Sequence, residues 1–309
     1  MNTPSTCAPA PPRPGIESLG VSREPGYPLP VGREPLALST IHDLPALPAA
    51  LLELLRVLGN DSVETGTLAA KISHDQALTA KTLRLANSSF YGVSRHVNSV
   101  TDAIAVLGLR AVRTLVTTAG LAGSFKPPTC EGFDFPGFWR HAIESAVGAK
   151  LVANAIGADG ETAFTAGLLH DIGQLALASG FAAKYARVLA LQAEHGIELC
   201  DAERALLGID HPALGALLAE RWHFPGQIVE AIGAHHARAL PGDTVVLADI
   251  VCVADTLAGL LGLGARNADA LPIDCRTVWA GAGLSAGSWE QILAQTGAQA
   301  QAICAALLP

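Results

Sequence analysis

The sequence predicts an all-α protein, and three observations lead to that prediction. Apolar residues recur at helical spacing in most segments after residue 40, as in Leu47, Leu51, Leu54 and Leu58. Polar, glycine or proline breaks separate these segments, and several segments begin with residues that commonly cap a helix. No run of strand length alternates between apolar and polar side chains. Half of the 309 residues are apolar, which is enough for a sizeable core.

The first 36 residues differ from the rest of the chain. They hold nine of the 19 prolines, interspersed with Gly, Ser and Arg, and show no hydrophobic period. A segment of this composition cannot bury enough apolar surface to offset the entropy of ordering. Residues 1–36 are therefore predicted to be a disordered, proline-rich leader.

Residues 37–122 are predicted to form a helical bundle. Asp75 is a suitable N-cap for one of its helices. Ser99 and Asp102 have the spacing of a capping box, and Gly108 is suited to end the helix that this box opens. The helices are expected at about 47–58, 62–73 and 75–86, then from Ser99 to Gly108 and through Val112, Leu115 and Val116.

A connector is predicted over residues 123–137, which contain three prolines. Helical periodicity then resumes over residues 138–240, and residues 241–309 read as a helical extension that completes this second part. Each helix is bounded by Gly, Pro or a polar cap. The expected helices span about 138–156, 162–178, 180–195, 200–207, 211–222, 225–237, 243–262 and 288–308.

Composition argues against several classes of function. The chain carries 20 Lys and Arg against 28 Asp and Glu, a formal charge of −8, and no basic run stands out. Direct nucleic-acid binding through phosphate contacts is therefore not expected. The sequence shows no signal peptide and no apolar run long enough to span a membrane. Six scattered cysteines without a Cys-x-x-Cys pair indicate reduced thiols, so a cytoplasmic protein is expected.

One stretch points to chemistry. His170 and Asp171 are adjacent within residues 166–175, an otherwise apolar run predicted to be helical. A buried carboxylate is costly unless it is paired or coordinates a metal. Imidazole and carboxylate are both good ligands for a divalent first-row metal. Such a dipeptide alone more often caps or salt-bridges a core helix, so the prediction depends on what the other helices contribute.

Five predicted helices each contribute one or two potential ligands, and a helical bundle can gather such residues in its core. His211 could instead be only a polar helix start, and one of His235 and His236 could face solvent. Asp255 is hard to explain in an apolar helix without a partner. Two bound ions could lower the pKa of a bridging water, which could then attack a phosphorus. The candidate metal ligands are His141, His170, Asp171, His211, His235, His236 and Asp255.

The sequence resembles the HDOD family, a branch of the HD superfamily found in bacterial signalling proteins. The resemblance covers about residues 40–240 and implies a helical bundle subdomain packed on an HD-like helical subdomain. Six matches occur in order: LPALP at 44–48, ISHDQALT at 72–79, LANSSFYG at 85–92, AIAVLGLR at 103–110, ERALLGIDH at 203–211 and AIGAHH at 231–236.

Many HDOD proteins have lost the metal ligands of the HD superfamily, and this chain resembles those that keep them. All of the candidate ligands have counterparts in the related HD-GYP phosphodiesterases. Gln174, however, stands where those enzymes carry a lysine that meets the substrate phosphate. No Gly-Tyr-Pro segment follows His236, and Gly137 occupies a position where some relatives place a third-metal glutamate. These differences argue against cleavage of cyclic di-GMP.

The resemblance implies a regulatory protein that binds a signalling protein partner or a nucleotide and keeps one or two divalent ions, which could be iron, manganese or zinc. The alternative is a metal-dependent phosphohydrolase. The regulatory interpretation is favoured because Gln174 cannot supply a cation to a phosphate. One ion is expected at His141, His170, Asp171 and Asp255, and a second at His211 with one or both of His235 and His236.

Overall fold

All regular secondary structure in the described part of the chain is α-helical, which confirms the predicted fold class. The structure, a computed structural model, describes Leu36, residues 65–236, 245–262, Trp279 and residues 283–308. The predicted leader, except for Leu36, and the predicted helix at 47–58 lie outside the described residues. None of the described helices is both long and apolar enough to cross a membrane.

Among the first four described helices, one begins after Asp75 and another lies between Ser99 and Gly108, at the caps that the sequence predicts. The Asp75 carboxylate accepts a hydrogen bond from the Leu78 amide (2.9 Å), and the Ser99 hydroxyl accepts one from the Asp102 amide (3.0 Å). Gly108 ends a helix with a φ of +84°, a conformation that favours glycine. These helices are α1 (Thr65–Ser73), α2 (Gln76–Ala86), α3 (Val100–Leu107) and α4 (Leu109–Ser124).

The second part is built around a long helix, α5, which packs most extensively on α6 and α12. Small buried residues such as Ala142, Ala146 and Ala149 line α5 and permit close approach. At Gly167 in α6, an added Cβ would lie 2.8 Å from the Ser145 carbonyl oxygen of α5. The helices are α5 (Phe135–Ala155), α6 (Gly160–Leu169), α7 (Ile172–Gly180), α8 (Ala182–His195), α9 (Leu199–Leu207), α10 (His211–Arg221), α11 (Gly226–Ala234), α12 (Leu247–Gly262) and α13 (Ala286–Leu307).

The predicted connector is shorter than expected, because α4 and α5 extend into it and leave residues 125–134 between them. Helices on its two sides nevertheless contact each other. The Lys150 ammonium of α5 lies 2.6 Å from the Glu161 carboxylate. The same ammonium lies over the rings of Phe90 and Tyr91, at 5.0 and 5.2 Å from their centroids. Residues 85–92, one of the six segments that resemble HDOD motifs, thus contribute to packing between the two parts. The division into two subdomains at the connector stays a prediction.

The prediction of a single helix over residues 162–178 is wrong. The segment forms two helices, because α6 ends at Leu169 and α7 begins at Ile172. Asp171 between them has φ −97° and ψ 9°, outside the helical region. Adjacent residues of a straight helix point about 100° apart. The break instead brings His170 Nε2 within 3.3 Å of Asp171 Oδ2, so that both side chains reach the same space.

The N-cap of α6 gives a stability prediction. Asp159 Oδ1 accepts hydrogen bonds from the Glu161 and Thr162 amides (3.1 and 3.3 Å), and Oδ2 contacts Arg110 at 2.9 Å. Because Ala cannot cap the helix, Asp159→Ala is expected to lower the free energy of unfolding by about 1 kcal/mol. Urea denaturation near neutral pH measures this change, and Asp159→Asn, which still caps, should retain most of the stability.

The loss should depend on pH. Burial acts to raise the pKa of Asp159, but the hydrogen bonds from Thr162 and the nearby Arg110 outweigh it, so the pKa lies below its ordinary value. A lowered pKa in the folded state stabilises the protein above the unfolded-state pKa of about 3.9, and this contribution disappears as the pH falls through the folded-state pKa. Part of the stability difference between the wild type and Asp159→Asn comes from the charge of Asp159 beside Arg110. That part should therefore vanish in acid. An equal difference at neutral and acidic pH contradicts the assignment.

Candidate metal centre

The fold brings together all of the side chains that the sequence singles out as candidate ligands. They come from separate elements that meet around the break between α6 and α7. His141 lies on α5, His170 and Asp171 form the break, and Asp255 lies within α12. His211 is the first residue of α10, and His235 and His236 directly follow α11.

One group consists of His141, His170 and Asp255, whose nearest ligand atoms all lie within 4.8 Å of one another. His141 Nε2 is 2.9 Å from Asp255 Oδ1 and 3.3 Å from His170 Nε2. His170 Nε2 is 3.6 Å from Asp255 Oδ1. Two imidazoles and one carboxylate therefore face a common point.

A second group consists of Asp171, His211, His235 and His236, again with ligand atoms within 4.8 Å of one another. Asp171 Oδ1 is 3.1 Å from His211 Nε2 and 3.6 Å from His235 Nε2. The rings of His235 and His236 are adjacent, with centroids 4.1 Å apart. Both members of the histidine doublet therefore face this group.

Asp171 lies between the two groups. Its Oδ1 faces His211 and His235, whereas its Oδ2 is 3.3 Å from His170 Nε2 and 3.7 Å from His141 Nε2. The sequence-based expectation assigned Asp171 to the first ion alone. The geometry is instead that of a carboxylate with one oxygen directed toward each group.

The three buried imidazoles all direct Nε2 inward for the same reason. His170 Nδ1 lies 2.7 Å from the Gly167 carbonyl oxygen, and His235 Nδ1 lies 2.7 Å from the Ile232 carbonyl oxygen. Because a carbonyl only accepts, Nδ1 must carry the proton in both rings. His211 Nδ1 faces the Glu203 carboxylate at 2.8 Å. When Nε2 is deprotonated, its lone pair is directed at the centre in each of the three rings.

Three buried polar atoms at the centre have no hydrogen-bond partner among the residues that the structure describes: Asp171 Oδ1, His211 Nε2 and His235 Nε2. They are close together, yet even the 3.1 Å approach of His211 Nε2 to Asp171 Oδ1 does not have hydrogen-bond geometry. Leaving a buried polar group unsatisfied costs about 1–3 kcal/mol. A divalent ion among these atoms would satisfy all three, and imidazole nitrogen with carboxylate oxygen is a suitable donor set for such an ion. The residues therefore fit a metal.

The charges at the centre are strongly coupled. Burial acts to lower the pKa of His170, but the Asp171 and Asp255 carboxylates outweigh it and raise the pKa to about 10. Burial acts to raise the pKa of Asp171, but His170, His211 and His235 outweigh it and hold that pKa well below its usual range. Without a cation, protons on imidazoles balance the carboxylates. Metal ions and protons therefore compete for the same nitrogens.

The centre is open on one side. The side chains of His170 and His211 are at most 1% exposed, whereas that of His236 is 41% exposed and those of His141 and Asp255 are 28% and 20% exposed. Gln174 is partly exposed on the first turn of α7, and its backbone N–H donates to the Asp171 carbonyl oxygen at 2.9 Å. A small anionic ligand could approach from the open side.

Sequence reasoning missed one residue next to the centre. Glu203 is completely buried on α9 and contacts His211. The sequence did contain a signal for this residue, because Glu203 lies beside Ala202 and Leu206 in the apolar face of an amphipathic helix. Cys200, Glu203 and His211 form a third set of ligand-type atoms within 4.8 Å of one another. His195 lies outside these groups and has a side chain that is 41% exposed.

Two solved structures are similar to this chain in fold. A candidate phosphohydrolase from Shewanella amazonensis SB2B is 32% identical, with a TM-score of 0.73 over 87% of this chain and 97% of that one. A candidate signal transduction protein from Marinobacter aquaeolei VT8 is 27% identical, with a TM-score of 0.68 over 89% of this chain and 61% of that one.

A curated but uncharacterized protein from Treponema pallidum (strain Nichols) is 30% identical over 198 residues, which are 63% of this chain and 38% of that protein. This chain thus spans well under two thirds of that relative. The family model for the HDOD domain matches residues 44–238. The helical fold, the ordered motifs and this match lead to one conclusion: the chain belongs to the HDOD domain family.

Proposed function

We propose that this HDOD protein is a regulatory signalling module that holds two divalent ions and acts by binding a nucleotide or a protein partner. The single observation that carries the two-ion part of the proposal is the position of Asp171, which directs one carboxylate oxygen to each of two ligand groups. The similarity to a candidate signal transduction protein supports the regulatory part. In the described part of the chain, Cys130, Cys200 and Cys304 are reduced thiols, which suit the reducing cytoplasm, where we place the protein.

The proposed metal ligands are five imidazoles and two carboxylates, which suit iron, manganese or zinc. Bound ions of this kind act as Lewis acids and lower the pKa of a coordinated water. Side chains of the protein would supply the other contacts to a bound ligand. His236, His141 and Asp255 border the open side, and Gln174 offers a neutral amide close by. A phosphate at this side would meet no lysine at residue 174, and the absence of that cation argues against phosphodiester turnover.

A metal-dependent phosphohydrolase is the second candidate. The position of Asp171 between the two ligand groups favours it, because two ions held there would act as Lewis acids on a phosphoester and would lower the pKa of a coordinated water. The open side of the centre would admit a phosphoester. The name of the Shewanella relative, a candidate phosphohydrolase, supports the same interpretation.

Binding and turnover can be measured on the same metal-loaded protein. Calorimetric titration with nucleotides and cyclic dinucleotides measures binding, and release of nitrophenol from bis(p-nitrophenyl) phosphate measures phosphodiester cleavage. We expect no cleavage above the metal-free protein. Metal-dependent turnover that Asp171→Asn abolishes would replace the regulatory proposal with the phosphohydrolase.

Gln174→Lys tests whether the missing cation limits phosphate recognition. A lysine at this position would add a charge-assisted contact of about 1.5–3 kcal/mol, so affinity for a phosphodiester is expected to rise about tenfold or more. Gln192→Lys, the same substitution on α8 away from the centre, should leave affinity unchanged. Equal affinities for both variants and the wild type would show that residue 174 does not face the bound phosphate.

A further inference from the structure

Behind His211, on the side away from Asp171, lies the wholly buried carboxylate of Glu203. Its Oε2 accepts two hydrogen bonds from the same residue, from the His211 backbone N–H at 2.7 Å and from His211 Nδ1 at 2.8 Å. Its Oε1 accepts a hydrogen bond from the hydroxyl of Tyr185, also completely buried, at 3.0 Å. Glu203 therefore contacts the backbone and the ring of a proposed metal ligand at once.

His211 needs such a side chain because of its place in the fold. His170 and His235 follow the ends of α6 and α11, where the carbonyls of Gly167 and Ile232 are free to accept from Nδ1. His211 is instead the first residue of α10, where the free backbone groups are N–H donors. No helix carbonyl is available there, so the acceptor for Nδ1 must come from another element.

We propose that Glu203 is the positioning residue for His211, holding the ring with Nδ1 protonated and Nε2 directed at Asp171. The inference rests on the proposed metal function and concerns only the group of Asp171, His211, His235 and His236. A carboxylate behind a ligating imidazole fixes its orientation and raises its basicity, and loss of such a partner typically costs about 10–100-fold in metal affinity.

Neighbouring residues fix the start of the same helix. The Asp210 carboxylate caps α10 by accepting from the Ala213 amide at 2.9 Å, and it pairs with Arg204, the residue after Glu203. Arg204 also contacts Asp201 at 3.2 Å. The ERALLGIDH motif thus places a carboxylate behind His211 and a cap before it.

A third ion at Cys200, Glu203 and His211 does not suit these contacts. Glu203 Oε2 already receives two N–H donors from His211, and a backbone N–H directed at this point repels a cation. Cys200 Sγ is 3.8 Å from His211 Nδ1, but this nitrogen donates its proton to Glu203 and so has no lone pair for an ion. The geometry assigns Glu203 to His211 and not to an ion of its own.

The test uses zinc titrations of full-length protein in two backgrounds that isolate the groups. His141→Ala should leave only the Asp171 group, and His235→Ala only the group of His141, His170 and Asp255. Adding Glu203→Ala should weaken zinc binding about 10–100-fold in the first background and leave it unchanged in the second.

Glu203→Gln is the conservative variant. Its amide oxygen can accept both His211 hydrogen bonds while its amide nitrogen donates to the Tyr185 hydroxyl, so the ring keeps its orientation and loses only the negative charge. It should restore most of the affinity that Glu203→Ala loses. Circular dichroism establishes that each variant is folded.

Equal weakening in both backgrounds, or no weakening in either, overturns the inference. If Glu203→Ala does not fold, Glu203→Gln decides by the same criterion, with a smaller loss confined to the His141→Ala background expected. Absence of zinc from wild-type protein overturns the proposed function and this inference together. Two ions in wild type with unchanged affinity in the Glu203 variants overturns the inference alone.

Discussion

Replacing Asp171 with asparagine is expected to remove both ions. Each carboxylate oxygen faces a different ligand group, and the asparagine side chain has one oxygen and no charge. Metal affinity should fall by more than the factor of about 10–100 that is typical when an outer partner of a ligand is lost. Elemental analysis after gel filtration, with the protein previously reconstituted with metal, measures the change.

The matched control is His195→Ala, which changes a histidine at the end of α8 outside both groups. It should retain the wild-type metal content. Asp171→Ala should also lower stability, because His170, His211 and His235 lose the carboxylate that they share. If Asp171→Asn keeps both ions, Asp171 does not bridge them. If it keeps one, the carboxylate belongs to a single group.

Among substitutions that add one methyl group to a described glycine, Gly173→Ala is expected to destabilise the protein most. The new Cβ would overlap the His211 carbonyl oxygen and lie 2.8 Å from its carbonyl carbon, and backbone atoms cannot rotate away as a side chain can. Overpacking of this kind typically costs about 1–3 kcal/mol, and contact with backbone places the expected loss at about 3 kcal/mol. Because His211 begins α10 at this point, metal affinity should also fall.

Gly259→Ala provides the control for Gly173→Ala. Gly259 is exposed within α12, and an added Cβ would meet no atom of the described residues within 4 Å. Removing a glycine from a helix without strain should stabilise the protein by about 0.4–1 kcal/mol. Urea denaturation of both variants compares the two signs directly. A Gly173→Ala protein as stable as wild type would mean that α7 does not pass so close to His211.

Several of the residues that come together at the centre were predictable from sequence, because each is conspicuous where it stands. Asp255 lies in an apolar helix, and His170 and Asp171 lie in an apolar run, so each needs a polar partner in the core. Cap residues such as Asp75 and Ser99 were equally visible, because capping depends on neighbours a few positions away.

The break between α6 and α7 could not be predicted in the same way. Leu168, Leu169, Ile172 and Leu175 keep helical spacing through it, and hydrophobic periodicity does not register a two-residue interruption. The bridging position of Asp171 follows from that break. The role of Glu203 depends on contacts with His211 and Tyr185, which are 8 and 18 residues away in sequence and adjacent only in the fold.

The metal content of the wild-type protein is the most direct test of the two-group centre. The protein would be purified without chelator or histidine tag, and its iron, manganese and zinc would be determined before and after reconstitution with each ion. We expect two ions per chain after reconstitution, held through gel filtration. No stoichiometric metal in either preparation would contradict the account.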